Sequence, residues 1–281
     1  MELLITGVTG QLGHEALHVA QKCGLDVYGA SRADFSLAEK GAARAFILQH
    51  RPQMILHAAA YTAVDKAEEE QELAYQVNAE AAGEIAQAAQ EVGAKVLYVS
   101  TDYVFPGTGT NFYAVDDPKG ALNVYGASKL AGEEAVKKAC AQYFIVRISW
   151  VFGENGKNFI KTMLHLADTH PTLTVVNDQI GSPTYVGDFV PLLLTMLTTK
   201  KYGTYHATNE GVTSWAGFAR EIFRQAGKSV CVKDIRSEER PSKAQRPKNS
   251  RMSKQSLDDA GFKRLPRWED ALARFLENLQ G

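Results

Sequence analysis

Glu2-Leu3-Leu4-Ile5-Thr6-Gly7-Val8-Thr9-Gly10-Gln11-Leu12-Gly13 joins a short apolar run to three evenly spaced glycines. The run reads as a buried strand, and Leu12, Ala16, Val19, Ala20 and Cys23 then recur at the spacing of one helix face. Glycines between a strand and a helix allow a tight turn and a close backbone approach to a pyrophosphate, which the free N–H groups of the helix N-terminus attract. The spacing is Gly-x-x-Gly-x-x-Gly rather than the Gly-x-Gly-x-x-Gly of many dehydrogenases. Placement after a strand therefore carries the reading, and it makes Gly7, Gly10 and Gly13 candidates for a dinucleotide.

Working outward, Asp26 to Ala30 reads as a second strand, Ala42 to His50 as helical, and Gln53 to Ala60 as a third strand entered through Pro52. Leu73, Val77, Ala81, Ile85, Ala88 and Val92 mark one long amphipathic helix, and Lys95 to Ser100 and Tyr143 to Ser149 read as further strands. This alternation predicts an α/β fold: a Rossmann-like doubly wound parallel sheet with helices on both faces and its ligand site beyond the carboxyl ends of the strands. A smaller C-terminal α/β substrate-binding lobe is expected. We read residues 1–150 as the dinucleotide-binding domain, with part of about 178–205 returning to it, and about 151–177 and 206–281 as the lobe.

The chain has 281 residues, with 31 Lys+Arg against 32 Asp+Glu and 45% hydrophobic residues. That balance argues against disorder and against a dedicated nucleic-acid binder. The longest apolar candidate, Phe189 to Leu197, is too short to span a membrane and contains Pro191. Glu2 stands where a secretory signal would carry basic residues. Cys23, Cys140 and Cys231 are an odd number at long spacings, as free thiols in a reducing compartment would be, so a cytoplasmic location is expected.

Ser31-Arg32 closes the second strand where an acidic residue would normally meet the ribose of NAD, and an arginine there favours the 2'-phosphate of NADPH, with NADH still able to serve. In Tyr125-Gly126-Ala127-Ser128-Lys129 the Tyr and Lys share one helical face. A neighbouring ammonium stabilises phenolate and is expected to bring the phenol's pKa down from ~10, making a tuned proton donor. Upstream, Ser100-Thr101-Asp102-Tyr103-Val104-Phe105 ends the fourth strand, so Thr101 can hydrogen-bond a reacting oxygen.

With these motifs the chain resembles the extended short-chain dehydrogenase/reductase superfamily and, within it, the dTDP-4-dehydrorhamnose reductases. The resemblance runs over nearly the whole chain, through Ala58 to Glu68, Asn123 to Gly126, Arg147 to Val151, Asn177-Asp178-Gln179-Ile180-Gly181-Ser182-Pro183-Thr184 and Arg246 to Ser250. It implies reduction of the C4 ketone of dTDP-4-dehydro-L-rhamnose, with Tyr125 as proton donor, Lys129 as its partner and ribose ligand, and Thr101 as the assisting hydroxyl. It further implies Gly10, Gln11 and Leu12 at the pyrophosphate, Asp34-Phe35 on the adenine side, and Ala60-Tyr61-Thr62 near the ribose. Asp102, the neighbouring Tyr103 and Trp150 would meet the deoxysugar.

Arg236 to Lys254 carries seven basic and two acidic side chains, two prolines and no apolar period, which predicts an exposed loop. Arg246 or Arg251 is expected to pair with a nucleoside diphosphate. His14 and His18 lack a third ligand and read as a polar helix face, and no metal site is assigned. Glu68-Glu69-Glu70 reads as an acidic helix start. The expected partner is a nucleotide sugar, with a homodimer left open. Two rivals stand beside this reading: a reductase or epimerase for another nucleotide sugar, and a non-catalytic NADP-binding subunit like the regulatory subunit of methionine adenosyltransferase.

Overall fold

A computed structural model describes residues 1–280. The chain begins with β1 (Leu3–Thr6), α1 (Gln11–Lys22), β2 (Val27–Ala30), α2 (Ala42–His50) and β3 (Met54–His57). Short helices α3 (Val64–Ala67) and α4 (Gln71–Tyr75) lead through a π-helical turn at Gln76–Glu80 into α5 (Ala81–Val92), followed by β4 (Lys95–Thr101), α6 (Val124–Ala139) and β5 (Tyr143–Ile148). The next elements are shorter: β6 (Val151–Phe152), α7 (Phe159–Ala167), β7 (Thr172–Val176), β8 (Ile180–Gly181) and β9 (Thr184–Tyr185). Then come α8 (Val186–Thr198), β10 (Gly203–His206), β11 (Thr213–Ser214), α9 (Trp215–Gln225), β12 (Cys231–Ile235), α10 (Gln255–Asp259) and α11 (Trp268–Gln280).

Six strands form one sheet in the order β10-β5-β4-β3-β1-β2, every pairing parallel. The order reverses between β1 and β3, which opens a crevice at their carboxyl ends. Alternate side chains serve opposite faces. Leu3, Ile5, Leu97, Phe144 and Val146 pack with α1 and α8, while Leu4, Ile55, Val96, Tyr98 and Ile145 pack with α2, α5 and α6. Burial on both faces explains why these strands read as continuous apolar runs. No helix among the described residues is long and apolar enough to cross a membrane.

After β5 the chain shuttles. Phe152, Ile160, Phe218, Ile222, Leu272 and Phe275 build a separate core around α7, α9 and α11, whereas α8 and β10 lie on the sheet. Leu257, Phe262 and Leu265, placed in the smaller lobe by sequence, pack into the sheet's core beside Tyr205 instead. β10 is an edge strand, and this segment covers it. The expected single helix from Leu73 to Val92 is interrupted by the π turn, and the expected strand from Gln53 to Ala60 is paired only over Met54–His57.

Two buried histidines give the fold an acid limit. His57 shares a hydrogen bond with Thr6 (2.8 Å), His206 contacts Arg147 and the Ser253 carbonyl, and burial pushes both down to about 3. A histidine held neutral contributes stability above its unfolded pKa of about 6.5 and loses it as pH falls toward 3. Asp102, pushed up to about 6, acts in the opposite sense as pH falls from 6 toward 3.8. Urea unfolding at pH 5 should therefore cost about 2 kcal/mol per buried histidine relative to pH 7.5. His57→Asn should remove its share of that pH dependence, and an unchanged dependence would assign the loss elsewhere.

Candidate active site

Gly7 makes the β1–α1 turn with φ +76°, and a Cβ on it would lie 2.8 Å from the Ala59 nitrogen. A Cβ on Gly13 would meet the Gly7 carbonyl oxygen at 2.3 Å, so the turn, α1 and the end of β3 close up only with glycine at both places. α1 has no side-chain N-cap and no acid in its first turn, which leaves its leading N–H groups free for an anion. The residues present thus fit a dinucleotide pyrophosphate.

This turn floors a cleft of about 890 Å³. Gly7, Gly10, Gln11, Leu12 and Gly13 line one end, with Ser31, Arg32 and Phe35 beside them and Ala60, Tyr61 and Thr62 along the wall. Thr101, Asp102, Tyr103, Tyr125, Lys129 and Trp150 line the other end. Asp34 does not line it. Its carboxylate accepts hydrogen bonds from the Ser31 N–H (2.8 Å), the Ser31 hydroxyl (3.0 Å) and the Tyr28 hydroxyl (2.5 Å), and so shapes the turn that presents Arg32.

The reacting end is built from β4 and α6. Asn123 caps α6 by accepting from the Gly126 N–H, and the helix then carries Tyr125 and Lys129 one turn apart on the cleft face. Burial pushes the Tyr125 phenol up to about 12, with the nearby Thr101 hydroxyl easing the shift and Asp102 reinforcing it. The expected lowering by Lys129 is not seen. The Lys129 ammonium instead donates to the Val99 carbonyl (2.8 Å) and sits 3.8 Å from the Tyr98 ring centre, and burial brings it down to about 7 against the attraction of Glu133. A phenol that stays protonated is nonetheless suited to giving a proton to an alkoxide, which is far more basic.

Asp102 is buried at the wall of the cleft. Its Oδ1 accepts from the Thr101 hydroxyl (3.0 Å) while Oδ2 has no hydrogen-bond partner, and burial pushes the carboxyl up to about 6. An orphaned buried oxygen beside the phenol offers an acceptor to a ligand hydroxyl. Sequence reading missed Asn78, whose side chain accepts from the Tyr61 N–H (2.8 Å) and donates to the Tyr61 carbonyl (3.1 Å) and the Ser128 hydroxyl (3.0 Å). It joins the cleft wall to α6 from the π turn, and no periodicity marks such a residue.

Trp150 has φ +51°, a left-handed backbone costing a non-glycine residue ~1–2 kcal/mol. Its indole stacks on that of Trp215, with centroids 3.8 Å apart and planes at 15°. Trp215 and Tyr103 border both this cleft and an adjoining groove of about 1200 Å³.

The groove receives the basic segment, which is less exposed and less positive than expected. Ala244, Asn249, Ser250, Met252 and Lys254 are buried. Arg246 borders the groove but forks onto Asp65 (3.1 and 2.8 Å), Lys243 pairs with Glu69, and Lys248 meets Glu238 (2.6 Å) and Asp178 (3.2 Å). Arg251 lies off the groove and donates to Asn249 (2.9 Å). Arg240, which sequence counted only within the basic segment, borders the groove with no carboxylate partner among the described residues. The Glu68 to Glu70 run ties elements together, Glu68 accepting from the Val124 N–H at the start of α6 (2.8 Å). No cluster of metal-binding side chains occurs among the described residues.

Similarity to known proteins runs over the whole chain. The family model for the RmlD substrate-binding domain matches residues 1–281. A dTDP-4-dehydrorhamnose reductase of Salmonella typhimurium is 40% identical over 295 residues, covering 99% of this chain and 98% of that one. The crystal structure of a dTDP-4-dehydrorhamnose reductase from Clostridium acetobutylicum superposes with TM-score 0.97 at 38% identity over 100% of both chains. That of the Bacillus anthracis reductase in complex with NADP gives 0.96 at 41% identity, over 99% of this chain and 100% of that one. With the family model spanning every residue and such relatives matched end to end, the chain belongs to the RmlD substrate-binding-domain family, that of the dTDP-4-dehydrorhamnose reductases.

Proposed function

We propose that this protein reduces the C4 ketone of dTDP-4-dehydro-L-rhamnose to dTDP-L-rhamnose, with NADPH as hydride donor and NADH as a weaker substitute. The observation that carries the reading is the buried Thr101 and the half-buried Tyr125 facing one end of a cleft whose other end is a glycine turn on an uncapped helix. The NADP complex of the Bacillus anthracis relative supports the cofactor. When bound, the nicotinamide supplies the hydride. Tyr125 gives the proton to the oxygen that becomes an alkoxide, and Thr101 hydrogen-bonds at the same point. Lys129 orients the ribose, Asp102 Oδ2 accepts a sugar hydroxyl, and Trp150 covers the sugar ring. The diphosphate lies along the groove near Arg240 and Arg246.

The test is NADPH oxidation by the purified protein, followed by absorbance, with dTDP-4-dehydro-L-rhamnose and with its UDP analogue. Turnover of the dTDP sugar giving dTDP-L-rhamnose is expected. A preference for the UDP analogue would move the reading to another nucleotide sugar. Cofactor choice has its own variant. Arg32→Ala should raise KM for NADPH about tenfold or more, the loss of a charge-assisted contact. KM for NADH should stay within about twofold, because NADH lacks the 2'-phosphate. Equal effects on the two cofactors would detach Arg32 from that phosphate.

A further inference from the structure

Trp215 opens α9 directly after β11, whose register against β8 places Ser214 opposite Ile180 and Thr213 opposite Gly181. Ser214 caps α9 through the Gly217 N–H (2.9 Å), so the first residue of the helix is held at a fixed height above β8. From there the Trp215 indole meets the Trp150 indole face to face, and Phe159 packs against Trp215 with ring centres 4.6 Å apart and planes tilted by 57°. Trp150 itself is held on both sides. Its carbonyl accepts from the Thr184 N–H (3.2 Å), the preceding Ser149 hydroxyl donates to the Ser182 carbonyl (2.6 Å), and Gly181 leaves its indole no spare room. A Cβ on Gly181 would lie 3.0 Å from Trp150 Cε2. The strained backbone aims the Trp150 ring into the cleft, and Trp215 supplies the flat surface that stops it.

We propose that Trp215 is a positioning residue for the reduction: by stacking on Trp150 it fixes the Trp150 ring over the sugar, and so fixes the approach of the C4 carbonyl to the Tyr125 phenol. The inference deepens the reductase reading and rests on it. A group that acts by placement shows itself in kcat more than in cofactor affinity, since reaction geometry tolerates little displacement. A flat aromatic ring at position 215 suffices for that task, so phenylalanine should serve where alanine does not.

The experiment compares wild type, Trp215→Ala, Trp215→Phe and Gly181→Ala by kcat, NADPH Kd and circular dichroism. Two indoles stacked this closely couple their transitions, so the wild type should show an exciton couplet that both Trp215 variants lose and Gly181→Ala weakens by displacing Trp150. Trp215→Ala should lower kcat about tenfold or more, with NADPH Kd within about twofold of wild type. Trp215→Phe should keep at least about a third of kcat despite losing the couplet. Wild-type kcat in Trp215→Ala, or equal impairment in the Phe and Ala variants, overturns the inference and leaves the reductase reading standing. Absence of any nucleotide-sugar turnover by the wild type removes the reading itself.

Discussion

Tyr125→Phe should lower turnover by about 10²-fold or more while the fold and NADPH binding persist. The hydroxyl is the only group removed, and the ring's place on α6 is set by the Asn123 cap and by Tyr103, whose ring meets it edge to face at 5.6 Å. The loss should be in kcat, because the proton is needed only as charge develops on the carbonyl oxygen. Activity near wild type in that variant would take Tyr125 out of the mechanism. Near neutral pH the phenol, raised by burial, holds its proton, and an alkoxide is strong enough to take it.

The second large effect lies under the same site. Glu133 and Arg147 form an ion pair at 2.6 Å, both essentially inaccessible to solvent. The carboxylate also accepts from the Ser100 hydroxyl (2.6 Å) and the guanidinium Nε (2.8 Å), while the guanidinium donates to the Val115 carbonyl (2.9 Å) and contacts His206 Nε2 (3.2 Å). Arg147→Met leaves Glu133 charged, buried and short of partners, and should cost about 3–5 kcal/mol of stability by urea unfolding. Adding Glu133→Gln should return a good part of that, since the stranded charge disappears. If the double variant is no more stable than the single one, packing around Arg147 rather than charge explains the loss. Ser100 precedes Thr101 on β4 and Glu133 follows Lys129 by one turn on α6, so their hydrogen bond joins the two elements that carry the site, and the ion pair ties both to β5.

What the sequence showed plainly was local. The β1–α1 turn is one stretch of chain, the Tyr125–Lys129 spacing is one helical turn, and Thr101 stands where an apolar run ends. Each can be read because the interacting groups are near in sequence. Interactions across the chain were hidden. Asp65 claims the fork of Arg246, one of the two arginines that sequence offered to a diphosphate, although Arg246 still borders the groove. The stacking of Trp215 on Trp150 depends on how β11 registers on β8, which no residue pattern announces. Lys129 shares a helix face with Tyr125 as expected, yet its ammonium reaches back to Val99 and Tyr98 because carbonyl and ring lie within the span of its stem. Helical spacing fixes where a side chain starts but leaves open where a four-carbon stem ends.

The most direct test of the account is single turnover with dTDP-4-dehydro-L-rhamnose and NADPH deuterated in the hydride position, followed by analysis of the sugar. The account predicts dTDP-L-rhamnose carrying one deuterium at C4, formed by wild type and formed far more slowly by Tyr125→Phe. Deuterium at any other carbon, or none in the product, would contradict it.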